Sequence, residues 1–155
     1  MSLEIRHFDF TSGASDDAEF ALSAAMEALR SAPSLDDGRR ALQDGLLDTA
    51  QECGSGDWDG YGALPVEART LANALDVVSA LPHGTPMPSP GAEPDGHLTL
   101  EWYRSPDWPL SVSISPDNTL YYAARIGASR VQGAEPFLGR FPSEILDIVD
   151  RLGLA

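Results

Sequence analysis

Lysine is absent from this chain. All ten basic residues are arginine, and they stand against 24 aspartates and glutamates, for a formal net charge of -14. Duplex nucleic acid is held largely by Lys and Arg neutralising phosphates. No basic cluster offsets the acidity, so nucleic acid and anionic membranes are set aside as partners. Cysteine occurs once, at Cys53, which rules out an internal disulfide. On a predicted helix it reads as a small core filler rather than a nucleophile. The three histidines, His7, His83 and His97, are scattered without a pair at metal-ligating spacing, and each reads as a surface or turn residue. No apolar run approaches the roughly 20 residues a membrane span needs. Residues 1–6 lack the apolar core of a secretory signal, so a cytoplasmic location is expected. Gly60 and Gly62 are not followed by the lysine of a phosphate-binding loop. No catalytic set and no cofactor is predicted.

The densest cluster of special residues is Asp57-Trp58-Asp59-Gly60-Tyr61-Gly62-Ala63-Leu64-Pro65. Glycines there can take positive φ, and the aspartates can accept their own downstream amides. Two readings stay open. In the first, the run is a structural corner: Trp58 and Tyr61 plug the core, and the carboxylates cap the next helix. In the second, it is a partner loop that presents Asp57, Asp59 and Tyr61.

Periodicity places the elements. Residues 3–10 alternate as a short strand or arm. Residues 16–31 form an alanine-rich helix opened by a capping-box pair, Asp16 and Glu19. Residues 35–53 form a second helix with Leu42, Leu46, Ala50 and Cys53 on one face, although Gly45 costs up to about 1 kcal/mol of helix propensity. Residues 66–80 form a third, with a stripe of Ala68, Leu71, Ala72, Leu75, Val78 and Ser79. Residues 82–96 carry five prolines, which excludes helix and central strand. They read as an ordered extended crossover, with a proline-rich ligand for an aromatic groove as the alternative. Strands follow over 97–104, 110–115, 120–126 and 129–133, with Asp95-Gly96 and Pro116–Thr119 as turns. One sheet face is apolar. The other carries Thr99, Glu101, Tyr103, Ser111, Ser113, Ser115, Tyr121 and Arg125. A helix over 143–152, with Ser143 as its cap, ends at Gly153.

The expected fold is α+β: N-terminal helices, a four-stranded antiparallel β-meander and a C-terminal helix, with the helices covering one sheet face. At 155 residues a single domain is expected. Residues 1–55 read as an appended strand and helical hairpin, and residues 56–155 as the core unit.

The run Trp58-Asp59-Gly60-Tyr61-Gly62-Ala63 is followed by Pro65, Met87-Pro88-Ser89-Pro90, Pro94-Asp95-Gly96, Glu101-Trp102, Tyr121-Tyr122 and Gly133-Ala134-Glu135-Pro136-Phe137. As a set these motifs, over residues 56–152, resemble a family of small uncharacterised bacterial proteins. The resemblance implies no activity and brings no catalytic residues with it.

Charge, size and the absent catalytic set point to a non-enzymatic binding module. Its candidate surface is Asp57, Trp58, Asp59, Tyr61, Asp95, Glu101 and Tyr103. A basic protein is the partner that complements the charge, in an antitoxin-like or immunity-like role. The alternative is a small metal-dependent or acid/base enzyme, with Asp57, Asp59, Asp95 and Glu101 converging near Tyr61 and Trp102. A third reading is a homo-oligomer formed through the first helix.

Overall fold

The computed structural model describes residues 20–24 and 35–154. The chain divides between Ser34 and Leu35 into two compact units. In the first, residues 20–24 are helical, with Phe20 and Leu22 exposed. The predicted strand over 3–10 and the remainder of the helix over 16–31 lie outside the described residues.

The second unit contains α1 (Leu35–Glu52), α2 (Ala68–Ser79), β1 (Ser89–Ala92), β2 (Leu98–Tyr103), β3 (Pro109–Ile114), β4 (Thr119–Ile126), β5 (Ser129–Pro136) and α3 (Ser143–Leu152). The strands lie in sequence order and every neighbouring pair is antiparallel. The sheet is thus a five-stranded meander rather than the predicted four. The additional strand, β1, comes from the proline-rich segment. Proline cannot donate to a ladder, so it is confined to sheet edges, and β1 with Pro90 is an edge strand.

Two turns at one end of the sheet repeat the same chemistry. In Glu93-Pro94-Asp95-Gly96-His97, the Glu93 amide donates to His97 O at 2.9 Å and the Gly96 amide to Glu93 O at 2.9 Å. In Ser115-Pro116-Asp117-Asn118-Thr119 the corresponding distances are 3.2 Å and 3.2 Å. Proline presets the first turn residue, and the aspartate accepts the amide two residues on. Those bonds are His97 N to Asp95 Oδ1 at 3.0 Å and Thr119 N to Asp117 Oδ1 at 3.2 Å. The residue after the aspartate must be left-handed, with φ 89° at Gly96 and 65° at Asn118.

All three helices pack on one sheet face: α1 against β1 and α2, α2 against β2 and β3, and α3 against β3 and β4. Leu98, Leu100, Trp102, Leu110, Val112, Ile114 and Leu120 supply the sheet side of the core. Leu42 and Leu46 of α1 are buried in that core, as the stripe predicts, so α1 belongs to this unit. Gly45 has a packing reason: a Cβ there would lie 2.8 Å from Cγ of Pro90. The buried face of α2 is Thr70, Ala74, Val77 and Val78. This is rotated from the predicted stripe: Leu71 and Leu75 are half-buried flanks, and Ala72 and Ser79 are exposed. Packing on both α1 and the sheet turns α2 onto this face.

Arginines close the helix C-termini. Arg39 donates to Val78 O, Ser79 O and Leu81 O at 2.8, 2.9 and 2.8 Å. Arg104 donates to Leu152 O at 3.1 Å and stacks over Trp108. Both place a cation against carbonyls at the C-terminal end of a helix, where the dipole favours positive charge. Gly153, with φ 66°, ends α3 as predicted. Ser143 is not the cap of α3: Pro142 holds the N-cap position without a side-chain bond, and the Ser143 hydroxyl donates to Glu144 instead.

Candidate functional site

The aromatic corner meets its structural reading only in part: Trp58 packs against the core, but Tyr61 does not and no carboxylate caps the next helix. The corner's carboxylates are spent on its own backbone. Asp59 Oδ1 accepts the amides of Tyr61 and Ala63 at 2.8 and 3.1 Å, and Asp57 Oδ1 accepts that of Gly62 at 2.7 Å. The Asp57 amide and Ala63 carbonyl close the ring at 2.7 Å. Positive φ at Asp57, Gly60 and Gly62 lets the chain curl this tightly. The curl throws Tyr61 outward, where it is 93% exposed. Trp58 is half-buried at the edge of the core, and its indole N–H donates to Leu64 O at 2.9 Å. Neither aspartate caps α2, whose N-cap is Glu67 without a side-chain bond.

The corner abuts the β1–β2 turn. The Leu64 amide donates to Pro94 O at 2.8 Å, and a Cβ on Gly96 would lie 2.8 Å from Pro65 O. Of the predicted carboxylates only Asp95 joins a cluster, and its companions are Glu93 and His97. One ligand-capable atom from each of these three lies within 4.8 Å of the others. Glu101 is on the same face but four residues along the strand from His97, about 14 Å at 3.4 Å per residue. Trp102 points the other way, 1% exposed, with its indole donating to Pro86 O at 2.7 Å and its ring edge-on to Phe141. Tyr103 is exposed, opposite Pro109.

The register explains the cluster. Thr99, Ser113 and Tyr121 form one cross-strand row, and Glu101, Ser111, Ala123 and Gln132 form the next. The tight turn sets Glu93 and His97 opposite each other at the head of these rows. The Ser113 hydroxyl donates to Glu93 Oε2 at 2.7 Å, and His97 Nδ1 lies 3.0 Å from Ser113 Oγ and 3.4 Å from Asp95 Oδ2. A hydroxyl has one proton to give. With that proton on Glu93, Ser113 faces His97 as an acceptor, as does Asp95. In that arrangement Nδ1 is the donor toward both oxygens. Ser113 itself is buried beneath the two side chains it links. Tyr121 stacks on the imidazole with ring centroids 5.9 Å apart.

These groups line a cleft of about 750 Å³ on the polar face, together with Ser111 and Gln132. Two carboxylates stand at one end and a Tyr–His stack beside them, a setting for a cationic group. Sequence reading missed Glu93 and treated His97 as a turn residue. The signal was the spacing Glu93-x-Asp95-x-His97 across a Pro-Asp-Gly turn, which puts all three at one hairpin tip. Cys53 lies outside this site, where burial, with Glu52 alongside, pushes its thiol above the ordinary value. A raised thiol pKa opposes nucleophilic use. Compared with protein-family models, curated proteins and solved structures, the chain matches none.

Proposed function

We propose that this protein is a non-enzymatic binding module that docks a basic protein on the polar face of its sheet, in an antitoxin-like or immunity-like role. The observation that carries this reading is the face itself. Among the described residues the helices pack on the opposite side, and Glu101, Tyr103 and Tyr121 are left exposed beside the Glu93–Asp95 cleft. Tyrosines supply broad contact area at low entropy cost. A net charge of -14 attracts a basic partner and speeds encounter. The candidate surface therefore moves from Asp57, Asp59 and Trp58, which hold the corner together, to Asp95, Glu101 and Tyr103 on the sheet.

The test is capture from lysate of the source cells, at low and high salt, with wild type beside Glu101→Arg/Tyr103→Ala. A stoichiometric basic protein, lost at high salt and lost with the variant, supports the docking face. Equal capture by both proteins removes it. A second reading, the carboxylate enzyme or metal site, now rests on Glu93, Asp95 and His97 instead of Asp57, Asp59 and Glu101. A ligand that binds only the folded state raises its stability, so unchanged melting in millimolar divalent cations removes that alternative.

A further inference from the structure

We infer that the cleft at the β1–β2 turn is an arginine pocket: one guanidinium of the basic partner enters it, bridges Glu93 and Asp95, and lies against Tyr121. This rests on the docking-face reading and names the anchor within it.

The carboxylates carry the first argument. Glu93 Oε2 accepts one bond, from Ser113, and Asp95 Oδ1 accepts one, from the His97 amide. Each oxygen has further lone pairs, and each carboxylate has a second oxygen. Glu93 and Asp95 each offer an oxygen within 4.8 Å of the other's. A planar fork of donors can reach both acceptors at about 2.8 Å.

The walls carry the second argument. Tyr121 is 45% exposed and held flat on His97, so the site has an aromatic wall that is already ordered. Guanidinium stacks on such faces and presents a rigid fork of donors, whereas an ammonium is a more strongly hydrated point charge. His97 Nδ1 lies 3.0 Å from Ser113 Oγ and 3.4 Å from Asp95 Oδ2, which orients the Asp95 carboxylate at the mouth of the cleft. The cleft, at about 750 Å³, has room for a side chain and its approach. The partner's arginine would thus be a buried anchor of the kind that dominates interface energetics.

The experiment is a two-dimensional amide NMR titration of the full chain with N-acetyl-arginine amide, using the neutral isostere N-acetyl-citrulline amide as control. The expected result is saturable shifts at Gly96, His97, Ser113 and Tyr121 with a Kd on the order of millimolar for so small a ligand. Citrulline amide should leave these signals in place. Glu93→Gln and Asp95→Asn keep the acceptors that Ser113 and the His97 amide use, and each should weaken arginine binding by about tenfold or more. Melting temperatures of both variants report whether the fold is kept. Equal response to citrulline, or shifts confined to other surfaces, overturns the pocket. So does micromolar Zn²⁺ or Mn²⁺ moving the same amides and displacing the arginine amide, which would make the cluster a metal site. A basic partner lost with Glu101→Arg/Tyr103→Ala but indifferent to Asp95→Asn overturns the anchor and leaves the docking face standing. Arginine binding in the cleft with no partner on the sheet sustains the pocket and overturns the docking reading.

Discussion

Two tryptophans show what a single residue's surroundings decide. Trp102 fills the centre of the core and has its indole N–H satisfied by Pro86. Trp58 lies half-buried at the margin and bonds only within its own loop. Trp102→Ala is expected to cost about 3–5 kcal/mol, through lost burial and the cavity left behind. Trp58→Ala should cost less than Trp102→Ala, about 1–3 kcal/mol, because its ring is only partly buried at the core margin. Urea unfolding of both variants checks the order. The sequence favours Trp58, which sits in the denser motif, and alternation alone identifies Trp102 correctly as inward. Strand period two is a direct readout of facing, whereas a loop full of glycine has no period to read. Asp117 offers a pH prediction at the same scale. The Ser115 hydroxyl, then Thr119, holds its carboxyl below the ordinary value of 3.8. A lowered folded value means stability that is present above the ordinary value and lost as pH falls through the folded one. Asp117→Asn lacks that contribution. The stability gap between wild type and variant should be widest above about pH 4 and close below it, and paired urea titrations across that range measure it.

Among the elements, β1 and α1 explain one another. Replacing Gly45 by alanine would gain up to about 1 kcal/mol of helix propensity. Its Cβ would meet Pro90 at 2.8 Å, and the proline ring is not a flexible chain end that can swing aside. Overpacking costs typically about 1–3 kcal/mol, so the clash wins. Gly45→Ala should lower the melting temperature, and a rise would mean that β1 shifts freely on α1. This contact was invisible in the sequence. Glycine in a helix reads as a weakness until the partner backbone is known, and the proline-rich segment shows no strand alternation to announce β1. Helices α2 and α3 were legible because apolar period 3.6 survives in both. The rotation of α2 was not, since alanine, threonine and serine give weak contrast between its faces. Strands β2 to β4 were legible from strict alternation, and with them the polar face that carries the candidate site.

For the molecule as a whole, legibility stopped at convergence. Charge and composition name the sign of a partner. Only the register brings Glu93, Asp95, His97, Ser113 and Tyr121 to one place, because they come from two strands and a turn. The meander order has a kinetic corollary. Every strand pairs only with the strand made just before or just after it, through loops of a few residues. Closing short loops costs little entropy, and topologies rich in local pairs fold faster than those with distant ones. The sheet can therefore assemble hairpin by hairpin as the chain lengthens, without waiting for its C-terminus. Among the described elements, α3, packed on β3 and β4, must return to strands that precede it in the chain. Refolding of the full chain is expected to be fast in stopped-flow fluorescence, and truncation before Ser143 should speed unfolding far more than it slows the first collapse.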